Sequence, residues 1–222
     1  MDNNKKKVIE KRINKTGENL KKNNMEFYYA PTKDDVKEIV KSLINKGDVI
    51  TNGGTMTMAE CGLCELLESS EYQYLDRSKY APDEIPELYR KAFFADVYIS
   101  SSNAITEEGV LYNVDGNSNR IAAIAYGPKS VIIIAGYNKI VKNLEQAEIR
   151  VKTDSAPPNC MRLDCKTYCA ETGECISLSK ADRQITDGCY GDGRICCNYL
   201  ISAHQRHKGR IKVIIVGEEL GY

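Results

Sequence analysis

Val49-Ile50-Thr51-Asn52-Gly53-Gly54-Thr55-Met56-Thr57 passes from a short β-branched run, through two glycines, into threonines able to open a helix. An apolar strand, a glycine turn and a helical stretch over 57–67 follow one another at the tight spacing of an α/β unit. Paired glycines let backbone amides approach a ligand closely, because neither carries a side chain and both tolerate positive φ. With Thr55 and Thr57 at a helix start, Gly53 and Gly54 can cradle a phosphate or carboxylate. The same residues also make a tight connection whose threonines only cap the helix.

Working outward, the alternation continues. Residues 5–24 place Val8, Ile9, Ile13 and Leu20 at helical intervals, which predicts an amphipathic opening helix. Thr32, after Pro31, can cap a second helix in which Val36, Ile39, Val40, Leu43 and Ile44 repeat with a helical period until Gly47. A helix over 84–92 and a strand over 97–100 form a second unit. Residues 121–126 read equally as strand or helix, whereas 131–135 are apolar on both faces, as in a central buried strand. A helix over 139–150, a break at Pro157-Pro158 and a strand over 211–217 complete the pattern. The reading is an open, largely parallel α/β sheet flanked by helices. It divides into a main domain over 1–156, a cysteine-rich segment over 157–200, and a return to the sheet over 201–222.

Lysine plus arginine and aspartate plus glutamate both total 31, so no global field draws the chain to nucleic acid or to an anionic membrane. Hydrophobic residues at 42% are enough for a packed core. No apolar run approaches the roughly 20 residues of a membrane span, and the first residues lack the apolar stretch of a signal peptide. The expected compartment is the cytoplasm.

Three polar loops are candidates for chemistry. Residues 100–109, Ser100-Ser101-Ser102-Asn103-Ala104-Ile105-Thr106-Glu107-Glu108-Gly109, begin at a predicted strand end, where ligands bind in open α/β sheets. In Asn113-Val114-Asp115-Gly116-Asn117-Ser118-Asn119-Arg120, Arg120 offers a planar fork to a carboxylate or phosphate, although an Asp-Gly run is also plain turn chemistry. Together with the glycine turn these loops carry more donors than acceptors, which favours a small anion.

In order and at this density, Gly53-Gly54-Thr55-Met56-Thr57, the 102–109 and 113–120 loops, Tyr126-Gly127-Pro128-Lys129 and Gly136-Tyr137-Asn138-Lys139-Ile140-Val141 resemble the LUD (lactate utilisation) domain family. The resemblance runs nearly end to end. It implies a sheet of the CoA-transferase-like and ribose-phosphate-isomerase-like type. It also implies chemistry at an acidic turn, which points to Glu107, Glu108 and Asp115 as catalytic candidates. Gly53, Gly54, Thr55, Thr57, Asn103, Thr106, Asn119 and Arg120 are the implied ligand-binding set.

Seven of the nine cysteines lie between Cys160 and Cys197, in a segment poor in aliphatic residues that needs a staple such as a bound metal. The segment resembles one branch of the family, in which Cys169-Ala170-Glu171-Thr172-Gly173-Glu174-Cys175 is followed by Cys189 and by Arg194-Ile195-Cys196. The implied ligands are Cys169, Cys175, Cys189 and Cys196. A longer stretch over 176–188 departs from the usual pattern. Four thiolates suit an iron-sulfur cluster or, alternatively, tetrahedral zinc. Cys160, Cys165 and Cys197 are surplus, while Cys61 and Cys64 read as a structural apolar pair.

Two functions are expected from this. One is a lactate or hydroxy-acid oxidation component that binds a small organic acid or phosphorylated ligand, or passes electrons to a redox protein partner. The other is a stand-alone isomerase or acyl/CoA-transfer enzyme using Glu107 or Glu108, with a non-catalytic binding or sensor module as a third reading. The oligomeric state, a homo-oligomer included, is left open.

Overall fold

Residues 2–222 are described by a computed structural model. The Asp2 carboxylate accepts from the amides of Asn4 and Lys5 and so starts α1 (Asn3–Lys22), which buries Ile13 and Leu20 on one stripe. The chain continues through β1 (Glu26–Ala30), α2 (Val36–Leu43), β2 (Val49–Asn52), α3 (Met56–Glu60), α4 (Leu63–Leu67), β3 (Gln73–Leu75), α5 (Ile85–Lys91) and β4 (Val97–Ser100). Next come β5 (Ala104–Thr106), β6 (Leu111–Asp115), α6 (Asn119–Ala125), β7 (Ser130–Gly136), β8 (Ile140–Val141) and α7 (Leu144–Arg150). The last elements are α8 (Ala156–Arg162), α9 (Tyr168–Thr172), β9 (Asn198–Ser202) and β10 (Ile211–Val216).

The main sheet has six strands in the order β1-β10-β7-β4-β2-β3. Every neighbouring pair is parallel. Strand periodicity sorts β7 onto two faces: Ile132 and Ile134 pack with Val36, Met58, Leu63 and Leu67, whereas Val131, Ile133 and Ala135 pack with Ile13, Leu20 and Ile124. Helices therefore cover both faces, which is why β7 and β10 are apolar apart from Ser130 and Lys212 at their starts. Each fully buried isoleucine contributes about 1.5–3 kcal/mol. A smaller sheet, ordered β8-β5-β6-β9, stands beside the main one over a third cluster containing Tyr112, Val114, Ala147 and Val151.

Several sequence expectations change. The helix expected over 57–67 is broken where Gly62 takes φ +62°, giving α3 and α4; Cys61 is buried there, but Cys64 is exposed rather than its apolar partner. Residues 121–126 resolve as the helix α6. The helix expected to start at Lys139 starts at Leu144, because a 3-10 turn over Tyr137–Lys139 and β8 come first. Pro157-Pro158 does not break the chain. A π turn over Val151–Ser155 leads directly into α8, and the prolines fall in its first turn, where a missing amide costs little. β1, β3, β5, β6 and β9 had no strand expectation, since each is short, polar at its ends or dependent on a distant partner.

The turn after β5 places Glu107 and Glu108, the expected catalytic acids, against α1 and outside the cleft described below. Glu107 receives Arg12 Nε at 2.8 Å and Lys15 Nζ at 3.2 Å. Asn19 and Asn23 of α1 and its end donate to the carbonyls of Glu107, Glu108 and Gly109. Gly109 has φ +80°, and a Cβ there would stand 2.6 Å from the backbone of Asn19 and Leu20. The turn is thus the docking point of α1, with Glu108 exposed to solvent. Thr106, also expected to bind ligand, is buried and accepts from the Val110 amide.

Burial opposes ionisation of Glu107, but its bonds to Arg12 and Lys15 win and hold the carboxyl below its usual range. Its contribution to stability is therefore present at neutral pH and lost as pH falls through that lowered value. We predict that Glu107→Gln loses on the order of 1 kcal/mol at pH 7 in urea denaturation. The difference from wild type should shrink as pH falls below the ordinary carboxylate range and vanish only below the lowered value of Glu107.

Candidate functional site

The ends of β2, β4 and β7 open on the same side of the main sheet, and the tail that follows β10 returns across them. Asn138 fastens that tail: its Oδ1 accepts from the Leu220 amide at 3.1 Å and its Nδ2 donates to the Gly221 carbonyl at 3.2 Å. The result is a cleft of about 400 Å³. Its wall combines the glycine turn, the serines after β4, the 113–120 loop, Lys139, the start of α8 and part of the cysteine-rich segment. Five cationic side chains, Arg77, Arg120, Lys139, Arg162 and Arg194, face it against two carboxylic ones, Asp115 and Asp192.

Arg120 lies at the back. Its Nη1 donates to the Ser101 carbonyl (3.2 Å) and Asn113 Oδ1 (2.6 Å), and its Nη2 to Asn103 Oδ1 (2.8 Å) and the Val114 carbonyl (2.6 Å). A guanidinium carries two hydrogens on each terminal nitrogen, so all four are committed to the protein. Burial, offset in part by Asp115 and Tyr98, weakens the usual preference of Arg120 for its charged form. The fork expected to clamp a ligand is thus already bonded to the protein's own acceptors, and it ties the strand ends together.

Asp115 is similarly occupied: Oδ2 accepts from the amides of Arg120 (2.9 Å) and Ile121 (3.2 Å), and Oδ1 from that of Asn117 (3.2 Å). It holds the entry to α6, where Ser118 takes φ +65°. Asn103 is fully engaged as well, accepting from Arg120 and the Val114 amide and donating to Ser155 Oγ at 2.9 Å. Gly54, Thr55, Asn103, Asp115, Asn119 and Arg120 thus meet at one cleft. Thr106, Glu107 and Glu108 do not. Gly53 faces inward, where a Cβ would come within 3.0 Å of the Arg120 stem and 2.8 Å of the Tyr98 hydroxyl. Thr57 is buried behind the wall.

The residue that sequence reading passed over is Lys139. Placed by the 3-10 turn that leaves β7, it is 3% exposed, and its Nζ meets Ser101 Oγ at 3.0 Å and Thr57 Oγ1 at 3.4 Å. Among the described residues it forms no ion pair. Burial first, then the charges of Arg150 and Arg120, bring its ammonium down to about 7 against a weak opposing pull from Glu60. In the sequence it is only the first residue of an expected helix and a member of the 136–141 motif of the resemblance, with no role attached.

Against the same wall lies a second, much smaller cavity of about 20 Å³, lined by Cys160, Cys169, Cys175, Cys189 and Cys196. Arg194 organises its outer loop, donating to the carbonyls of Cys196 (2.8 Å), Cys189 (3.2 Å) and Thr186 (2.7 Å). Cys196 and Arg194 border both cavities. The cysteines are free thiols, and burial pushes those of Cys160 and Cys196 up to about 12. The four expected ligands therefore surround one space, joined by Cys160. Cys165 borders the larger cleft, and Cys197 is exposed. Among the described residues, no three histidine, cysteine or acidic side chains converge as a metal-binding group.

These features define an α/β protein with an open parallel sheet, a cation-rich cleft at its strand ends and a thiol-lined cavity behind one wall. The LUD domain model matches residues 13–216, and the chain belongs to that family. A DUF162 family protein from Deinococcus radiodurans has the same fold, with a TM-score of 0.51 and 13% identity over 95% of this chain and 98% of that one. Half of the chain, 50%, overlays 49% of eIF2B delta from Chaetomium thermophilum at 16% identity and a TM-score of 0.36, a likeness too slight to carry an argument. No curated protein matches the chain. No helix among the described residues is long and apolar enough to cross a membrane.

Removing Arg120 leaves buried acceptors on both loops without donors. Arg120→Met is expected to cost about 3–5 kcal/mol in denaturant unfolding. It should also raise amide exchange at residues 101–103 and 113–115. A variant of wild-type stability that has lost only ligand affinity would restore Arg120 to the role of a clamp.

Proposed function

We propose that the protein binds a small organic acid, or a phosphorylated small molecule, in the cleft and holds a metal centre in the adjoining thiol cavity, as in a hydroxy-acid oxidation system. The observation that carries the first half is Lys139: a buried amine without a carboxylate partner, in a cleft where cations outnumber acids. An anion supplies the missing counter-charge, and its desolvation is offset by the charge-assisted hydrogen bonds it receives. Thr55, at the edge of the glycine turn, and Arg77, whose Nη1 otherwise donates only to the Tyr89 hydroxyl at 3.2 Å, are placed to share the anion.

The second half rests on the donor set. Soft sulfur ligands around a nearly dry space suit zinc or an iron-sulfur cluster. Cys160 Sγ and Cys169 Sγ stand 3.7 Å apart, close to the roughly 3.8 Å edge of a tetrahedron built on metal–sulfur bonds of about 2.3 Å. Tyr112 lines the same cavity, and its hydroxyl is wholly buried and finds no partner among the described residues. A hydrogen bond to metal-bound sulfur would satisfy such an orphaned O–H donor. Cys169, Cys175, Cys189 and Cys196, with Cys160 as the alternative fifth donor, would hold the group. When bound, an iron-sulfur group would supply one-electron redox capacity beside the cleft, whereas zinc would serve as a staple.

The chain's own residues then have separable roles. Arg120 and Asp115 fix the loops, Lys139 and Arg77 hold the anion, and Arg194 and Cys196 form the partition between acid and thiols. Tyr112→Phe provides the test. In metal-free protein it should be neutral or slightly stabilising, because the lost hydroxyl had no partner. In anaerobically prepared metal-loaded protein it should release metal to a chelator faster, by about 10-fold or more, with a shifted thiolate-to-metal absorption. Wild type that takes up neither zinc nor iron under these conditions would refute the metal centre. Lactate and a phosphorylated acid that both fail to bind would refute the anion site.

A further inference from the structure

We propose that Lys139 is a nucleophile that forms an imine with the carbonyl carbon of a 2-oxo acid, a proposal that rests on reading the cleft as an organic-acid site. An anion-binding lysine needs only its charge, and an exposed one would serve. Lys139 is instead 3% exposed, with its Nζ held between two hydroxyls, Ser101 Oγ at 3.0 Å and Thr57 Oγ1 at 3.4 Å. The nearby tail leaves it little freedom: a Cβ on Gly221 would approach Nζ to 3.3 Å and Thr57 Oγ1 to 2.7 Å, so only glycine passes there. The amine is thus fixed at one point of the cleft, as a nucleophile must be.

The groups that face it are Arg120 from the start of α6, Arg150 from the end of α7 and, more weakly, Glu60 from the end of α3. Burial and the two arginines bring its ammonium to about 7, so a large share of the amine is neutral at neutral pH. An ordinary lysine is neutral there only about once in a thousand molecules.

In the step itself, the nitrogen lone pair attacks the carbonyl carbon and a C–N bond forms while the carbonyl π pair moves to oxygen. That oxygen takes the proton the nitrogen gives up, forming a neutral carbinolamine; a second proton, from solvent in the open cleft, lets the oxygen depart as water and leaves a protonated imine. Amine, ketone and one proton give protonated imine and water, with no oxidant or reductant consumed. The Ser101 and Thr57 hydroxyls are placed to pass the proton from nitrogen to the departing oxygen. The product is a cation beside Arg120 and Arg150, so a neutral ketone would be disfavoured. A carboxylate on the adjacent carbon compensates that charge, and Arg77 lines the same cleft, which selects a 2-oxo acid.

The experiment is reductive trapping of the full chain with pyruvate and cyanoborohydride, followed by peptide mass mapping, with pyruvate binding measured separately by calorimetry. The expected result is a reduced adduct on the peptide carrying Lys139, at least 10-fold above any other lysine and absent in Lys139→Met. Its yield should rise between about pH 6 and pH 8 as the amine loses its proton. Pyruvate that binds without forming the adduct, or an adduct spread evenly over surface lysines, overturns the imine and leaves the anion site standing. Pyruvate that neither binds nor labels overturns both.

Discussion

One guanidinium holds the cleft in shape. Arg120 joins the carbonyls and amide oxygens of the 101–103 and 113–114 stretches, and its own amide is held by Asp115. The ends of a parallel sheet present loops with unpaired polar groups, and only a planar donor with several fixed directions satisfies so many at once. With the loops pinned, the turn after β7 sets Lys139 between Ser101 and Thr57, and the tail closes over it through Asn138. The proposed anion site is therefore a consequence of the internal one.

Three positive side chains, Arg120, Lys139 and Arg150, are buried close together, and burial lowers the proton affinity of each. The two arginines meet this cost with hydrogen bonds; Arg150, for example, donates to the Asn103 carbonyl at 2.6 Å and the Asn138 carbonyl at 3.0 Å. Lys139 has only hydroxyls, and so it is the group left to respond to a ligand. The thiol cavity is joined to this arrangement through the 189–196 loop, because Arg194 spends its donors on the carbonyls of Cys189 and Cys196. Acid and metal would share that wall without touching.

Those parts of the fold governed by local pattern were legible in the sequence. The apolar runs of β7 and β10, the amphipathic α1 and α2, and the strand–glycine–helix passage at 49–57 each follow from residues close in sequence, and the family resemblance followed from the same motifs. The small sheet was not legible, since β5, β6 and β9 are short and defined only by partners across the chain. The site was half legible. The 54–55, 103, 115–117 and 119–120 positions meet at the cleft, but the resemblance placed Glu107 in the chemistry, whereas Arg12 and Lys15 of a helix more than 90 residues away bind it. Lys139 stood in the 136–141 motif without a role, because its burial and its lack of an acid are properties of the assembled tail and loops.

The most direct test of this division of labour is a crystal structure of the protein grown with oxalate, a small dicarboxylate that cannot form an imine. The account predicts oxalate in the cleft with an oxygen on Lys139 Nζ, and the Arg120 guanidinium still bonded to Ser101, Asn103, Asn113 and Val114. An Arg120 side chain turned away from those acceptors to grip the oxalate, or oxalate bound elsewhere with Lys139 untouched, would contradict it.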